Sequence, residues 1–460
     1  MASDLTKLDP AWAWATYEPD AARPWSRALA AHLYRRAGFG ATSAELDDAV
    51  KAGAAAAVER LCNPPKSAAA EQFDQSVESL AQRTAAGGNP QSLPAWWLYR
   101  MQGTGDPLLE KLTLFWHGHF ATSAAKVEIP RAMLAQNEML RAHARGKFAE
   151  MVRAVSRDPA MLVYLDSTSN RRIRPNENYA RELLELFCLG VGNYTERDIK
   201  EVARAFTGWE VRAGQFAFNH IQHDTGTKSF LGRSGNFDGD EAVGVILDQP
   251  ASATFIARKL IRFFAFDEPA APDALVEPLA GELRKNDFEI APAVRRLLAS
   301  NLFFSEHAVG RKVRSPVELC VGMLRALDAT TNLVKAAQGL AELGQSLFFP
   351  PNVKGWDGGR AWINSSTLLG RANFVSRLLT AGETRFHRGG LGPLLESAGA
   401  TTPERTVDWL LETLVAVPVP AEARATLVDL ASAGSGTAAR ERRISEVIRA
   451  ISTLPEFQLA

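Results

Sequence analysis

Two histidines separated by one glycine, in Trp116-His117-Gly118-His119-Phe120, are the side chains best suited by type to hold a transition metal. On an extended segment a His-x-His pair turns both imidazoles to one side, a common way to bind Zn²⁺ or Fe²⁺. The competing reading lets one ring cap the carbonyls of the preceding helix while the other packs in the core. A second group lies between Pro175 and Trp209, where Asn178, Tyr179, Arg181, Glu182 and Glu185 share one helical pattern. Glu182 and Glu185 lie three apart, so they could share a metal or act as acid and base. Arg181 stands four residues from both Glu177 and Glu185, and ion pairs compete for the same carboxylates. Asn178, one turn before Glu182, points to a buried polar cluster. His223 and Asp224 could add metal ligands, although Asp224 also suits a turn. In Lys354-Gly-Trp356-Asp357-Gly-Gly-Arg360-Ala-Trp362, two tryptophans and two cations stand among glycines. Such a loop makes a candidate substrate wall, since aromatic faces stack on sugars and cations grip acidic groups. A buried structural loop is the alternative.

These residues need scaffolding, and most of the surrounding pattern is helical. Tyr179, Leu183, Leu186 and Phe187 recur at helical spacing, with Pro175 suited to the first turn. Gly190 and Gly192 stop that helix, and Thr195 with Asp198 caps the next. Strong helical patterning also covers 93–120, 129–166, 240–301 and 315–343. Alternation over 215–223, a turn at 224–226 and a return over 228–231 predict one β hairpin. Asn236–Glu241 superficially resembles a calcium loop, but its glycine is misplaced and capping of the helix near 240 fits better. Residues 66–92 read as a mobile, part-helical linker, and 385–403 as another. The fold expected is mainly α, a large multi-helix domain with one small β hairpin. Its parts are an arm over 1–25, a helical domain over 26–384 and a helical extension over 385–460.

Composition narrows the function classes. Lysine plus arginine equals aspartate plus glutamate, 52 each in 460 residues, so no nucleic-acid partner is expected. The three cysteines are far apart and form no zinc pattern. No apolar run is long enough to span a bilayer. Walker, Rossmann, nucleophile-elbow and His-Glu-x-x-His motifs are missing. The start of the chain lacks the basic end and apolar core of a secretory signal, so the expectation is a cytoplasmic protein, exported if a signal peptide has been removed.

Several long segments together are familiar: HLYRRAGFGAT (32–42), LTLFWHGHFATS (112–123), NENYARELLELF with YTERDIKEVARAFTGW, the stretch 223–264, and PPNVKGWDGGRAWINSSTLLGRANF (350–374). Through them the chain resembles the bacterial family catalogued as domain of unknown function eighteen-hundred, over roughly residues 30–380. The family name carries no activity. The resemblance implies export and a neighbouring partner similar to the phosphatase and sulfatase superfamily, hence a secreted polymer or cell-surface substrate. The chain departs from the family pattern in showing no export signal, and in carrying Cys188 where most relatives would have Thr.

The expectations for function are therefore three. A metal-assisted hydrolase or oxidase acting on a glycan or other polymer would use His117, His119 and Glu182 around Zn or Fe, with His223 and Asp224 as further ligands. A polymer-binding or scaffold protein would recognise its ligand through the tryptophan loop and leave chemistry to a partner enzyme. A metal-free polysaccharide enzyme would use Tyr179, Arg181 and Glu182 as acid, clamp and base.

Overall fold

Helix-start chemistry recurs along the chain and does what its residue types require. Thr195 accepts from the backbone of Asp198 while the Asp198 carboxylate returns to Thr195, a reciprocal cap, and Asp238 with Glu241 repeats it. The computed structural model describes residues 5–387, 389–432 and 437–460. The protein is 62% helical and mainly α, with only two-stranded antiparallel sheets among the described residues.

The β structure differs from the expected single hairpin. Trp209–Arg212 pairs with Gln215–Phe218, and Lys228–Phe230 pairs separately with Arg233–Gly235. Residues His220–Gln222 form a 3-10 turn between the two ribbons. The reversals come at Ala213-Gly214 and Leu231-Gly232, each with two consecutive positive φ angles, as tight two-residue hairpins demand. Alternation over 215–223 thus marks a strand but not its partner. The expected linker at 66–92 is mostly a 19-residue helix, Ala68–Ala86, capped by Ser67, because Val77, Ala81 and Ala85 give it a buried stripe. Within 385–403, Arg385–Phe386 pairs with Ala329–Thr330 and Leu391–Ser397 is helical; residue 388 lies outside the described residues.

Two hydrophobic clusters fill the interior. One gathers side chains from the first helices, 108–165, 179–209 and 242–308; the other gathers 77–101, 124–134, 317–348, 374–378 and the helices after 390. Leu410, Val447 and Ile451 from those last helices are buried in the second cluster. At the other end of the chain, Trp14 donates from its indole to Leu275 O at 2.9 Å and anchors the arm. The helix Pro107–His119 runs along the seam between the clusters, with Leu114 in one and Phe115 in the other.

Candidate functional site

The seam decides where the two histidines go. They lie on a helix rather than an extended segment, so two residues of separation turns them about 200° apart. His117 faces the second core, its ring 5.0 Å from Trp97 and 5.4 Å from Phe348. Its Nε2 accepts from the Phe348 amide at 3.1 Å, and burial lowers its pKa to about 3. His119 faces the first core. Its Nε2 donates to Phe187 O at 3.0 Å, which leaves Nδ1 as the acceptor for the Lys259 amine at 3.0 Å. Burial, followed by the Lys259 charge, holds His119 neutral.

The His-x-His helix meets the carboxylate helix through the main chain. The segment begins as the short α-helix Asn178–Glu182 and widens into a π-helix over Leu183–Cys188. Pro175 lies outside it, and the Asn176 side chain caps the start by accepting from Asn178 N. At the wide end the Leu189 and Gly190 amides both reach back to Leu184 O. The carbonyls of Leu186, Phe187 and Cys188 are then met by side chains: Lys259 Nζ, His119 Nε2 and Ser252 Oγ, at 3.0, 3.0 and 3.1 Å. Lys259 and Ser252 come from one helix, Pro250–Phe264. Three helices are therefore tied at a single helix end, a place where unpaired carbonyls need donors.

The polar residues of the carboxylate helix do not gather around the histidines. Tyr179 is core, its hydroxyl 2.5 Å from Ser156 Oγ. Arg181 lies at the surface and grips Glu196 at 2.7 and 2.8 Å. Asn178 is exposed, so the expected buried cluster around it does not form. Glu182 is partly exposed, and burial followed by Glu185 raises its carboxyl pKa. Glu185 accepts from Tyr194 OH at 2.8 Å. His223 bonds Thr207 O at 2.9 Å, and Asp224 takes both guanidinium arms of Arg204 at 2.7 and 3.1 Å. Each of the four residues expected to ligate a metal is bonded to other protein groups. Among the described residues no group of three or more His, Cys, Asp or Glu side chains is placed to hold an ion.

What does converge is a pocket of about 390 Å³ beside His119. Phe115, Phe255 and Phe263 form its apolar side, and Trp356 with Trp362 brings the tryptophan loop across it. Lys259 sits between them, half-buried, with Nζ 4.7 Å from the Phe255 ring centroid. Burial lowers its pKa to about 7, and Arg262 pushes the same way. Glu185 and Leu186 bring the π-helix to the rim. The far wall holds Asp267, Lys312, Ser315, Glu318 and Gln345. Lys312 pairs with Asp267 at 3.1 Å, and Glu318 pairs with buried Lys111 behind the wall. Within the loop, Lys354 and Asp357 form an exposed pair at 3.5 Å, and Arg360 reaches Glu268 at 2.9 Å. Arg262 donates to Asp357 O at 2.7 Å and pins the loop to the lysine helix.

The loop is seated by glycine on glycine. Gly355 has φ +80°, and a Cβ there would collide with Gly118 O, the carbonyl between the two histidines. Gly355→Ala is therefore expected to lift the Trp356 wall and to cost about 1–3 kcal/mol from strain and crowding. Chemical denaturation would measure the cost; a change within about 0.5 kcal/mol would show that the loop is not held by this contact.

Sequence reasoning missed Lys259. The available signal was Phe255, Lys259 and Phe263 at four-residue steps, a lone cation on an aromatic stripe. Asp267, Lys312, Glu318 and Gln345 come from distant segments and carry no local signature. No curated protein and no solved structure matches the chain. The model of the family described as Protein of unknown function (DUF1800) matches residues 32–459, and the chain belongs to that family.

Proposed function

We propose that the pocket receives one ring of a glycan or similar polymer and that Lys259 takes a proton from it, with no requirement for a metal at His117 and His119. The observation that carries this reading is the Lys259 amine. Its neighbours at hydrogen-bond distance, Leu186 O and His119 Nδ1, are both acceptors. An unprotonated amine spends its two N–H bonds on them and keeps its lone pair for the pocket. With a pKa of about 7, that form is abundant at neutral pH, where a general base is most effective. His119 is a positioning residue, and its own bond to Phe187 O holds the accepting nitrogen toward the lysine.

The substrate class rests on the walls. Large aromatic faces suit the C–H face of a sugar ring, and the paired charges of the far wall suit hydroxyl groups. The pocket also shares Gly190, Val191 and Phe255 with a neighbouring groove of about 1040 Å³, room for further units of a chain.

A panel of neutral and acidic oligosaccharides, monitored by tryptophan fluorescence and calorimetry, tests the reading. Trp356→Ala is expected to weaken binding at least about tenfold, in line with loss of an aromatic anchor worth about 1–3 kcal/mol. Trp356 is only half-buried, so the variant's thermal midpoint should stay near that of the wild type. Binding that is unchanged in Trp356→Ala, or no binding by any member of the panel, would sink the proposal.

A further inference from the structure

We propose that Lys259 is also a nucleophile toward carbonyl compounds, condensing with an aldehyde or ketone seated in the aromatic pocket to give an imine. This goes beyond the proton-transfer reading and shares with it only the amine. The bonds balance without a redox partner. The Nζ lone pair forms a C–N bond to the carbonyl carbon, giving a carbinolamine. Solvent carries one proton from nitrogen to oxygen, and the carbinolamine oxygen leaves as water with a second proton taken from nitrogen. One carbonyl and one amine become one imine and one water.

Geometry separates Lys259 from the other buried or half-buried lysines. Lys111 is held by Glu318, and Lys312 by Asp267 at 3.1 Å. Lys228 also has two neutral acceptors, Asp224 O and Asn236 Oδ1 at 3.0 Å, but it does not line the aromatic pocket. A carboxylate partner keeps an amine protonated and removes its lone pair. Lys259 instead has a neutral ring and a main-chain carbonyl, both of which accept, so the free form is fully bonded with its lone pair unspent. The cavity side offers Phe115, Phe255 and Phe263, an apolar surface against which a compact carbonyl ligand can sit. Glucose-like sugars carry such a group when open at the reducing end, which links the chemistry to the proposed ligand class without requiring it.

Reductive trapping on the intact wild-type chain tests the inference. The protein is treated with glyceraldehyde and cyanoborohydride at pH 7, and the modified lysines are mapped by peptide mass spectrometry. An ordinary lysine is unprotonated in about 1 of 2,500 molecules at that pH, whereas an amine with a pKa of about 7 is about half unprotonated. Lys259 is expected to be labelled at least about tenfold more than exposed Lys354, and the excess should shrink at pH 10, where other lysines lose their protons too. Labelling of Lys259 no greater than that of Lys354 overturns the inference. The two readings separate cleanly. Trapping that fails while Lys259→Met still abolishes turnover removes the imine and leaves the base. Selective trapping in a protein whose turnover survives Lys259→Met does the reverse.

Discussion

Lys259→Met is expected to lower turnover of the pocket's substrate by about 10²–10⁴-fold, the usual contribution of a positioned general base. Methionine is similar in length, fills the space between Phe255 and the π-helix, and has no proton to exchange. The pH profile gives the same answer by another route. Burial depresses the amine pKa, so the base is present above about 7 and vanishes as it protonates below. In the wild type kcat/KM should therefore fall about tenfold per pH unit on the acid side of that value. Lys259→Arg is the control for binding, because a guanidinium keeps the charge but does not shed its proton in this range. Ligand binding retained by the arginine variant, with turnover lost, is the expected pattern. Turnover close to the wild type in either variant would remove Lys259 from the reaction.

The second large effect is on stability. Glu318 is part of the far wall, where its carboxylate meets Lys111 and accepts from Ser315 N at 2.7 Å. Burial alone would raise its pKa, but Lys111 and Lys312, with the bonds from Lys111 and Ser315, overcome that and hold it well below the usual carboxylate range. Glu318→Ala strands the buried Lys111 cation, while Lys312 keeps Asp267, and should cost about 3–5 kcal/mol. The depressed pKa sets the sign with pH. The stabilisation is complete above the unfolded value of about 4.3 and is lost as pH falls through the lower folded value. The wild type should thus lose stability in acid through this group, and Glu318→Ala should lack that component. Urea unfolding at neutral and acid pH measures both. Replacing the pair together, Lys111→Met with Glu318→Leu, should recover most of the loss, since an apolar pair leaves no stranded charge. A loss below about 1 kcal/mol in Glu318→Ala would show that Lys111 finds another partner.

Helices are legible in the sequence wherever one face is apolar, as at Leu108–Trp116 or Ile199–Phe206, because burial on one side leaves a period. Caps are legible too, since Thr195–Asp198 and Asp238–Glu241 act within one turn. The tryptophan loop stands out by composition, and Trp356 and Trp362 do line the pocket. His117 and His119 stand out by type, but their directions depend on whether 117–119 coils, and the apolar helix continues through them. Ala68–Ala86 is hidden by its small residues, whose buried stripe of Val and Ala gives little contrast. The amine at the centre of the pocket depends on carbonyls exposed by a π-helix, and main-chain groups write nothing into a sequence.

That wide turn has a consequence for how the chain can change length. A π-helical turn is an α-helical turn that has absorbed one additional residue. Removing any residue from Leu183–Cys188 would let the segment close to ordinary pitch and rotate the residues downstream by about 100°. Leu186, Phe187 and Cys188 would then offer their carbonyls to a different side, away from Lys259, His119 and Ser252. Side-chain exchange leaves the main-chain carbonyls in register, whereas a three-base deletion in the gene unties three helices at once. The spacing of this segment, more than its lettering, is what a lineage using this pocket has to keep.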